Sequence, residues 1–150
     1  MENAHYYEVG LHWDGGRTGT LSSQILNDTI EVATPPEFDK GVAGIWSPEH
    51  LLVAAANSCL MTTFLAIAEK SRLDFFEFTS HATGKLEQVD GKYMISEITL
   101  RPVLTVLKDE DVDKASRLLF KAEANCLITE SLKTHITLEP SIRLQSIYAE

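Results

Sequence analysis

The sequence has little cysteine and fewer basic than acidic residues. Its 150 residues include two cysteines, Cys59 and Cys126, and its formal net charge is −9. Such an acidic chain is poorly suited to bind nucleic acid through a basic patch, so we expect no nucleic-acid partner. Two isolated cysteines also lack the paired spacing of a zinc knuckle. They leave two alternatives open, a pair of inert buried thiols or a pair that cycles between reduced and oxidised states.

Several familiar segments are absent as well. The N-terminal MENAHYYEVG has no basic stretch followed by an apolar one, as a signal peptide would have. Neither GxGxxG nor GxxxxGK[ST] occurs, so dinucleotide and P-loop functions have no support. The charge-free run over residues 51–68 is long enough for a membrane span, but it contains polar residues and lies among amphipathic strands. We interpret it as a buried helix. We therefore expect a cytoplasmic protein with no membrane partner, in which a permanent disulfide is disfavoured.

The first third of the chain predicts short strands. Apolar residues alternate with others near the N-terminus, at Tyr7, Val9, Leu11 and Trp13. This alternation is typical of a half-buried strand. DGG at 14–16 predicts a hairpin turn, with Arg17 at the start of a return strand over 18–21. A third strand is predicted over 29–33, before an irregular loop over 35–44.

A long apolar helix is predicted next. Ser47 is a good N-cap, Pro48 suits the first helical position, and Glu49 favours the helix dipole. The helix should continue to about Lys70. Because it is apolar on every side, it should be buried. Complete burial in a chain this short calls for a second subunit.

The remaining pattern is strand, strand, helix, strand. Strands over 75–87 and 92–106 flank an Asp-Gly hairpin signal at 90–91, and Pro102 should mark an edge or a bulge. Asp109 should cap a second helix. One apolar stripe marks that helix: Val112, Ala115, Leu119, Ala122 and Cys126. A last strand is predicted over 134–138. These hairpin connections predict one α+β domain over residues 1–150, with antiparallel sheet.

Four residues are candidates for chemistry, and each also has an ordinary structural explanation. A reactive Cys59 needs a cation or an oriented donor beside it, whereas an inert one would be a small core residue. Arg17 stays charged when buried and could stabilise a thiolate or hold a carboxylate, but exposed hairpin arginines are common. Glu49 could be that carboxylate or simply an acid at a helix start. Cys126 could be a second reactive thiol or a core position.

Helix geometry separates some of these groups. Glu49 and Cys59 are ten residues apart, which is about 15 Å along a helix axis and about 80° around it. They cannot touch within one straight helix, so either Arg17 bridges part of the gap or the residues meet across a dimer interface. His50 lies on the opposite face from Cys59, which disfavours a Cys–His nucleophilic pair. The histidines and cysteines show no metal-ligand spacing.

Three segments together resemble one family. SPEHLLVAAANSCL at 47–60, GGR at 15–17 and AEANCLI at 122–128 resemble the cysteine helix, arginine hairpin and second cysteine segment of the OsmC/Ohr proteins. These are the osmotically induced and organic-hydroperoxide-resistance proteins, and the sequence looks like an OsmC-like branch. Many members have a proline after the second cysteine, where this chain has Leu127. His50 stands where glutamine or glutamate is common.

The resemblance implies a fold and an activity. The implied fold is an intertwined α+β homodimer, with antiparallel sheets wrapped around a long buried central helix of each subunit and active sites at the interface. The implied activity is a thiol peroxidase that reduces organic, and also inorganic, hydroperoxides. Cys59 would be the peroxidatic thiol, Cys126 the resolving thiol, and Arg17 and Glu49 the activating pair. A dithiol or lipoyl-type reductant would be the partner, and no metal or organic cofactor is expected.

Two other functions remain open at this point. The first is a non-catalytic OsmC-like dimer that binds a small apolar ligand or senses oxidants. The second is a thiol-dependent acyl hydrolase, which is disfavoured because no histidine is well placed beside Cys59. Consumption of a hydroperoxide by the reduced protein separates the peroxidase from both.

Overall fold

The computed structural model describes residues 3–145 of the chain. Two compact units follow one another along the sequence, and the boundary falls after Leu51, in the first turns of the long helix. The expectation of one domain over the whole chain stays a prediction, since it concerns how the two units pack.

The N-terminal unit contains a three-stranded antiparallel meander. Its strands are β1 (Gly10–Gly15), β2 (Thr18–Ser22) and β3 (Ile30–Ala33), in that spatial order. The predicted glycine hairpin is confirmed, because Gly15 and Gly16 take φ angles of 115° and 55°, which favour glycine. The prediction of a half-buried first strand is wrong within this chain. The strand begins only at Gly10, and Leu11 and Trp13 on its apolar face are 70% and 72% exposed.

The start of the long helix is fixed by hydrogen bonds within the same unit. The Ala33 amide donates to the Trp46 carbonyl oxygen at 2.8 Å, which ties the end of β3 to the residue before the N-cap. Ser47 is fully buried, and its Oγ accepts the amide hydrogen of His50 at 3.1 Å. Helix α1 then covers Pro48–Lys70. The predicted cap, first helical residue and end are therefore confirmed.

The second unit is built on a long hairpin. Its strands are β4 (Phe75–Val89) and β5 (Lys92–Val106), joined by a turn at Asp90 and Gly91 with positive φ at both residues. Two short strands, β6 (His135–Leu138) and β7 (Ser141–Leu144), pair in parallel with the other edge of β5. The sheet is consequently mixed where a purely antiparallel one was expected, and β7 was not predicted.

Pro102 lies in the interior of this sheet, contrary to the prediction of an edge or a bulge. It pairs with Ser80 of β4 on one side. On the other side β6 ends opposite Leu100 and β7 begins opposite Val103. The Leu100 carbonyl oxygen accepts a bond from that side, and backbone groups two residues apart point the same way. The missing N–H of Pro102 therefore faces the gap between β6 and β7, where no ladder bond is needed.

One face of α1 packs into the core of this unit. Leu60 and Phe64 are fully buried, and the Phe64 ring stacks on Phe78 with 5.5 Å between centroids. The opposite face of α1 is exposed in the single chain, with Met61 at 38% and Leu65 at 41%. The expected burial on all sides is thus not achieved within one chain. By length and composition α1 could cross a membrane, a criterion that core helices of soluble proteins also meet.

The second helix begins later and ends earlier than predicted. Asp109 does not cap it but begins a 3₁₀ turn, Asp109–Asp111, which leads into α2 (Val112–Ala124). Buried residues of α2 confirm most of the stripe, at Ala115, Leu119 and Ala122.

Cys126 does not lie on α2, as was expected, but in the connection to a one-turn helix, α3 (Leu127–Glu130). Helix α2 ends because Asn125 leaves helical geometry, with φ −108° and ψ 10°. Cys126 itself is extended, with φ −73° and ψ 112°. The apolar spacing of the α2 stripe therefore extends to Cys126, although the backbone has already left helical geometry at Asn125.

Candidate active site

Cys59 lies near the middle of α1 and is 8% exposed. A pair of reciprocal hydrogen bonds holds this part of the helix against β4. The Asn57 Nδ2 donates to the Ser80 carbonyl oxygen at 3.0 Å, and the Ser80 Oγ donates to Asn57 Oδ1 at 2.6 Å. The rotation of the helix about its axis is therefore fixed two residues before the thiol.

Cys126 is fully buried and occupies the N-cap position of α3. The Thr129 Oγ1 donates to the Cys126 carbonyl oxygen at 3.2 Å, and the Glu130 amide donates to the same oxygen at 3.0 Å. These bonds form the turn that follows the cysteine.

The fold brings the two thiols together. Both cysteines are free, and the two thiols lie close enough for each to shift the pKa of the other. They are 67 positions apart in the sequence, so only tertiary structure joins them. A reduced pair in contact is a different arrangement from two unrelated core thiols.

The surroundings of Cys59 favour its ionised form. Burial by itself raises the pKa of a thiol, but hydrogen bonds to the sulfur outweigh it here. They come from the Cys126 thiol, the backbone N–H of Ile128, the Thr63 hydroxyl and the backbone N–H of Leu127. The pKa of Cys59 is therefore lowered below its ordinary value.

The surroundings of Cys126 act in the opposite direction. Burial raises its pKa, and the hydrogen bond and negative charge of Cys59 raise it further. Bonds from the side chain and backbone of Thr129 lower it in part. At a pH between the two pKa values, Cys59 carries the charge and Cys126 keeps the proton. One nucleophilic sulfur thus has a protonated thiol as its neighbour.

Arg17 and Glu49 both lie in the N-terminal unit. The exposed Arg17 lines a groove of about 290 Å³, together with apolar side chains that include Leu11, Trp13 and Val32. Glu49 is the second residue of α1, and its Oε1 is buried without a hydrogen-bond partner among residues 3–145. No ion pair joins Arg17 to Glu49 in the described part of the chain. Their roles at the thiols remain predictions.

His50 contacts the two residues that precede helix α1, Trp46 and Ser47. Its Nδ1 is 2.7 Å from the Ser47 Oγ, and its backbone amide is bonded to the same oxygen. The imidazole ring meets the Trp46 ring edge-on, with 6.2 Å between centroids. These contacts place the side chain at the helix start.

The donors to the Cys59 sulfur were not identified from the sequence. Thr63 could have been, because it follows Cys59 by four positions and residues at that spacing are neighbours on a helix. The amides of Leu127 and Ile128 could not, because every residue except proline has a backbone N–H and their orientation depends on the turn after Cys126.

The fold and site define an α+β protein with a mixed sheet packed on a long helix that presents one thiol of a reduced cysteine pair. Residues 41–141 match the family model described as OsmC-like protein. The chain therefore belongs to the OsmC-like family, and the resemblance drawn from the three sequence segments is confirmed.

Individual relatives cover nearly the whole chain. The uncharacterised protein YmaD of Bacillus subtilis is 29% identical over 147 residues, which are 93% of this chain and 96% of that protein. The peroxiredoxin OsmC of Escherichia coli is 25% identical over 88% of this chain and 93% of its own. An OsmC-like protein of unknown function from Vibrio cholerae has a similar solved structure. Its TM-score is 0.81 at 24% identity, with 91% of this chain and 99% of that chain covered. This likeness bears on the fold alone, and it confirms the expected α+β class with a long central helix. The expected intertwined homodimer stays a prediction.

Proposed function

We propose that the protein is a thiol-dependent peroxidase that reduces organic and inorganic hydroperoxides through Cys59 and Cys126. The observation that carries the proposal is the contact between two free thiols whose pKa values are shifted in opposite directions. The name of the Escherichia coli relative, a peroxiredoxin, supports the same chemistry. An inert pair of core thiols would need no donors directed at one sulfur.

In the first step the Cys59 thiolate attacks the terminal oxygen of the hydroperoxide. A sulfur–oxygen bond forms, the oxygen–oxygen bond breaks, and the alkoxide leaves and takes a proton to become an alcohol. The sulfur is oxidised by two electrons to sulfenic acid, and the peroxide is reduced by the same two. The neutral thiol is a poor nucleophile, so the lowered pKa of Cys59 matters for this step.

In the second step Cys126 condenses with the sulfenic acid. A sulfur–sulfur bond forms between Cys59 and Cys126, and the sulfenic oxygen leaves as water. An external dithiol, of which a lipoyl group is one kind, then reduces the disulfide by exchange and is itself oxidised. This cycle requires no metal or organic cofactor.

Arg17 and Glu49 complete the proposed site in a homodimer. The guanidinium would polarise the bound peroxide and stabilise the thiolate, and Glu49 would hold the guanidinium in place. The buried Oε1 of Glu49 supports this role, because a buried carboxylate oxygen normally has a donor and none is present within one described chain. In the proposed homodimer, the second subunit would supply the hydrogen-bond donor for Glu49 Oε1.

A non-catalytic function is the second candidate. The groove beside Arg17 in the N-terminal unit is lined largely by apolar side chains and could hold a small apolar ligand. In that case the thiol pair would serve as an oxidant sensor that changes state once. Sustained turnover of peroxide distinguishes the enzyme from the sensor.

The test is consumption of cumene hydroperoxide by the reduced protein with excess dithiol. Multiple turnovers are expected, and Cys59→Ser should reduce the rate to the uncatalysed background because serine cannot supply a thiolate at neutral pH. Ser58→Ala is the matched control, since the Ser58 hydroxyl bonds the Ala54 carbonyl oxygen of its own helix. Background consumption by the native protein, or equal rates in Cys59→Ser, would contradict the peroxidase.

A further inference from the structure

Thr63 has an unusual hydrogen bond for a helical threonine. Its Oγ1 is 3.8 Å from the Cys59 Sγ, one turn earlier on the same face of α1. Helical serines and threonines often bond a carbonyl oxygen three or four positions back. Two neighbours do so: the Thr62 Oγ1 donates to the Cys59 carbonyl oxygen at 3.1 Å, and the Ser58 Oγ to the Ala54 carbonyl oxygen at 2.8 Å. The half-buried Thr63 hydroxyl instead lies within hydrogen-bonding distance of the sulfur, and either group can be the donor.

We propose that Thr63 is a positioning residue that donates its hydroxyl hydrogen to the Cys59 sulfur and thereby keeps the negative charge of the thiol pair on Cys59. The inference rests on the proposed function only in taking Cys59 as the reacting thiol. A hydroxyl can donate to a thiolate but gains little from a neutral thiol. Its bond therefore favours the charged form of the sulfur that it touches.

The bias matters at a pH at which the pair has lost one of its two protons, because either sulfur could then carry the charge. Cys126 is the titratable group that acts on Cys59 within the described part of the second unit, and the remaining donors are Thr63 and the amides of Leu127 and Ile128. On the other side, the Thr129 hydroxyl reaches the Cys126 carbonyl oxygen at 3.2 Å as well as influencing its sulfur. Because the Thr63 hydroxyl lies at the Cys59 sulfur, its hydrogen bond favours the negative charge on Cys59 over Cys126.

The test measures thiolate formation without peroxide. The rate of iodoacetamide alkylation at Cys59, resolved from Cys126 by peptide mass spectrometry, is followed against pH. Thr63→Val keeps the branched shape and removes the hydroxyl. In Thr63→Val the midpoint of the Cys59 alkylation profile should move to higher pH. Below that midpoint the fraction of Cys59 present as thiolate should fall about fivefold relative to the native protein, as expected for the loss of one hydrogen bond. Thr63→Ser should restore the native profile.

Thr62→Val is the matched control, because it removes a hydroxyl bonded to the Cys59 carbonyl oxygen and not to the sulfur. Its midpoint should stay at the native value. An unmoved midpoint in Thr63→Val, an equal shift in Thr62→Val, or no rescue by serine would each overturn the inference. Thr63→Ala repeats the test should valine disturb the packing. A native protein that consumes no peroxide would refute the proposed function but leave this result standing.

Discussion

At the scale of single residues, the two cysteines differ only in what surrounds them. The same thiol group has a lowered pKa at position 59 and a raised pKa at position 126. Donors are directed at the first sulfur, and the charge that they favour there opposes ionisation of the second. Their proposed roles as attacking and resolving thiols follow from this asymmetry.

The role of Cys126 leads to a prediction about over-oxidation. Cys126→Ser should still reduce one equivalent of hydroperoxide, because Cys59 remains, but its sulfenic acid would have no thiol neighbour with which to condense. It should then pass to sulfinic acid with further peroxide. Intact-mass spectrometry after one and after several equivalents measures the added oxygen atoms.

The control for that experiment is the native protein, which should lose two hydrogen atoms and gain no oxygen. Resistance of Cys126→Ser to over-oxidation, together with undiminished turnover, would remove Cys126 from the mechanism. Failure of the variant to reduce even the first equivalent would mean that the Cys126 thiol is needed for the attack by Cys59.

Site residues were predictable from the sequence to the extent that side-chain chemistry identifies them. Cys59 and Cys126 could be named because the chain has only two thiols, and the family resemblance added Arg17 and Glu49 as the expected activating pair. Their contact depends on a turn at Asn125 that ends α2 early, and the apolar spacing hid this turn by continuing through Cys126. The donors at Leu127 and Ile128 are backbone groups, for which the sequence contains no specific signal.

At the scale of elements, α1 lies unusually close to β4. A Cβ built on Gly84 would be 2.5 Å from the Val53 Cγ2, so glycine is required there by the approach of the helix. Asn57 and Ser80 are bonded one helical turn further along the same contact. The position of Cys59 therefore depends on how closely helix and strand pack.

This contact predicts the effect of adding one methyl group. Gly84→Ala should lower the free energy of unfolding by about 1–3 kcal/mol, because valine has a restricted side-chain rotamer and cannot easily move away. Urea unfolding at a fixed protein concentration measures the change. In the background of Val53→Ala the same substitution should cost less, since the clashing methyl groups are gone. Equal costs in the two backgrounds would show that the close approach is not what requires glycine.

Elements with a strong local signal were predicted closely, and those defined by tertiary pairing were not. The β4–β5 turn and the cap of α1 have residues whose backbone or side chain specifies the geometry, at Asp90, Gly91 and Ser47. Strand β7 has four residues, which are too few for a periodic pattern to identify it. Its pairing with β5, like the tolerance of Pro102 in the sheet interior, becomes evident only when β6 and β7 occupy the same edge.

At the scale of the whole molecule, the single chain leaves much apolar surface exposed. On α1 the exposed face includes Met61 and Leu65, and in the N-terminal unit Leu11, Trp13 and Trp46 are each more than half exposed. Exposed apolar residues in this number are more typical of an interface than of a free surface. They support the expected homodimer, in which the outer face of α1 would be covered by the second subunit.

The dimer gives the last prediction. Light scattering should give about twice the 16.7 kDa mass of one chain. Leu65→Glu should shift the protein toward monomer, because it would bury a carboxylate against an apolar partner surface. Phe120→Glu is the matched control, since Phe120 is 50% exposed on α2 and lies outside the proposed interface. If Arg17 and Glu49 act across the interface, the Leu65→Glu monomer should also lose peroxide turnover while its thiols remain reduced and free. A native monomer would contradict both the dimer and a shared site, and a fully active Leu65→Glu monomer would show that one chain suffices for catalysis.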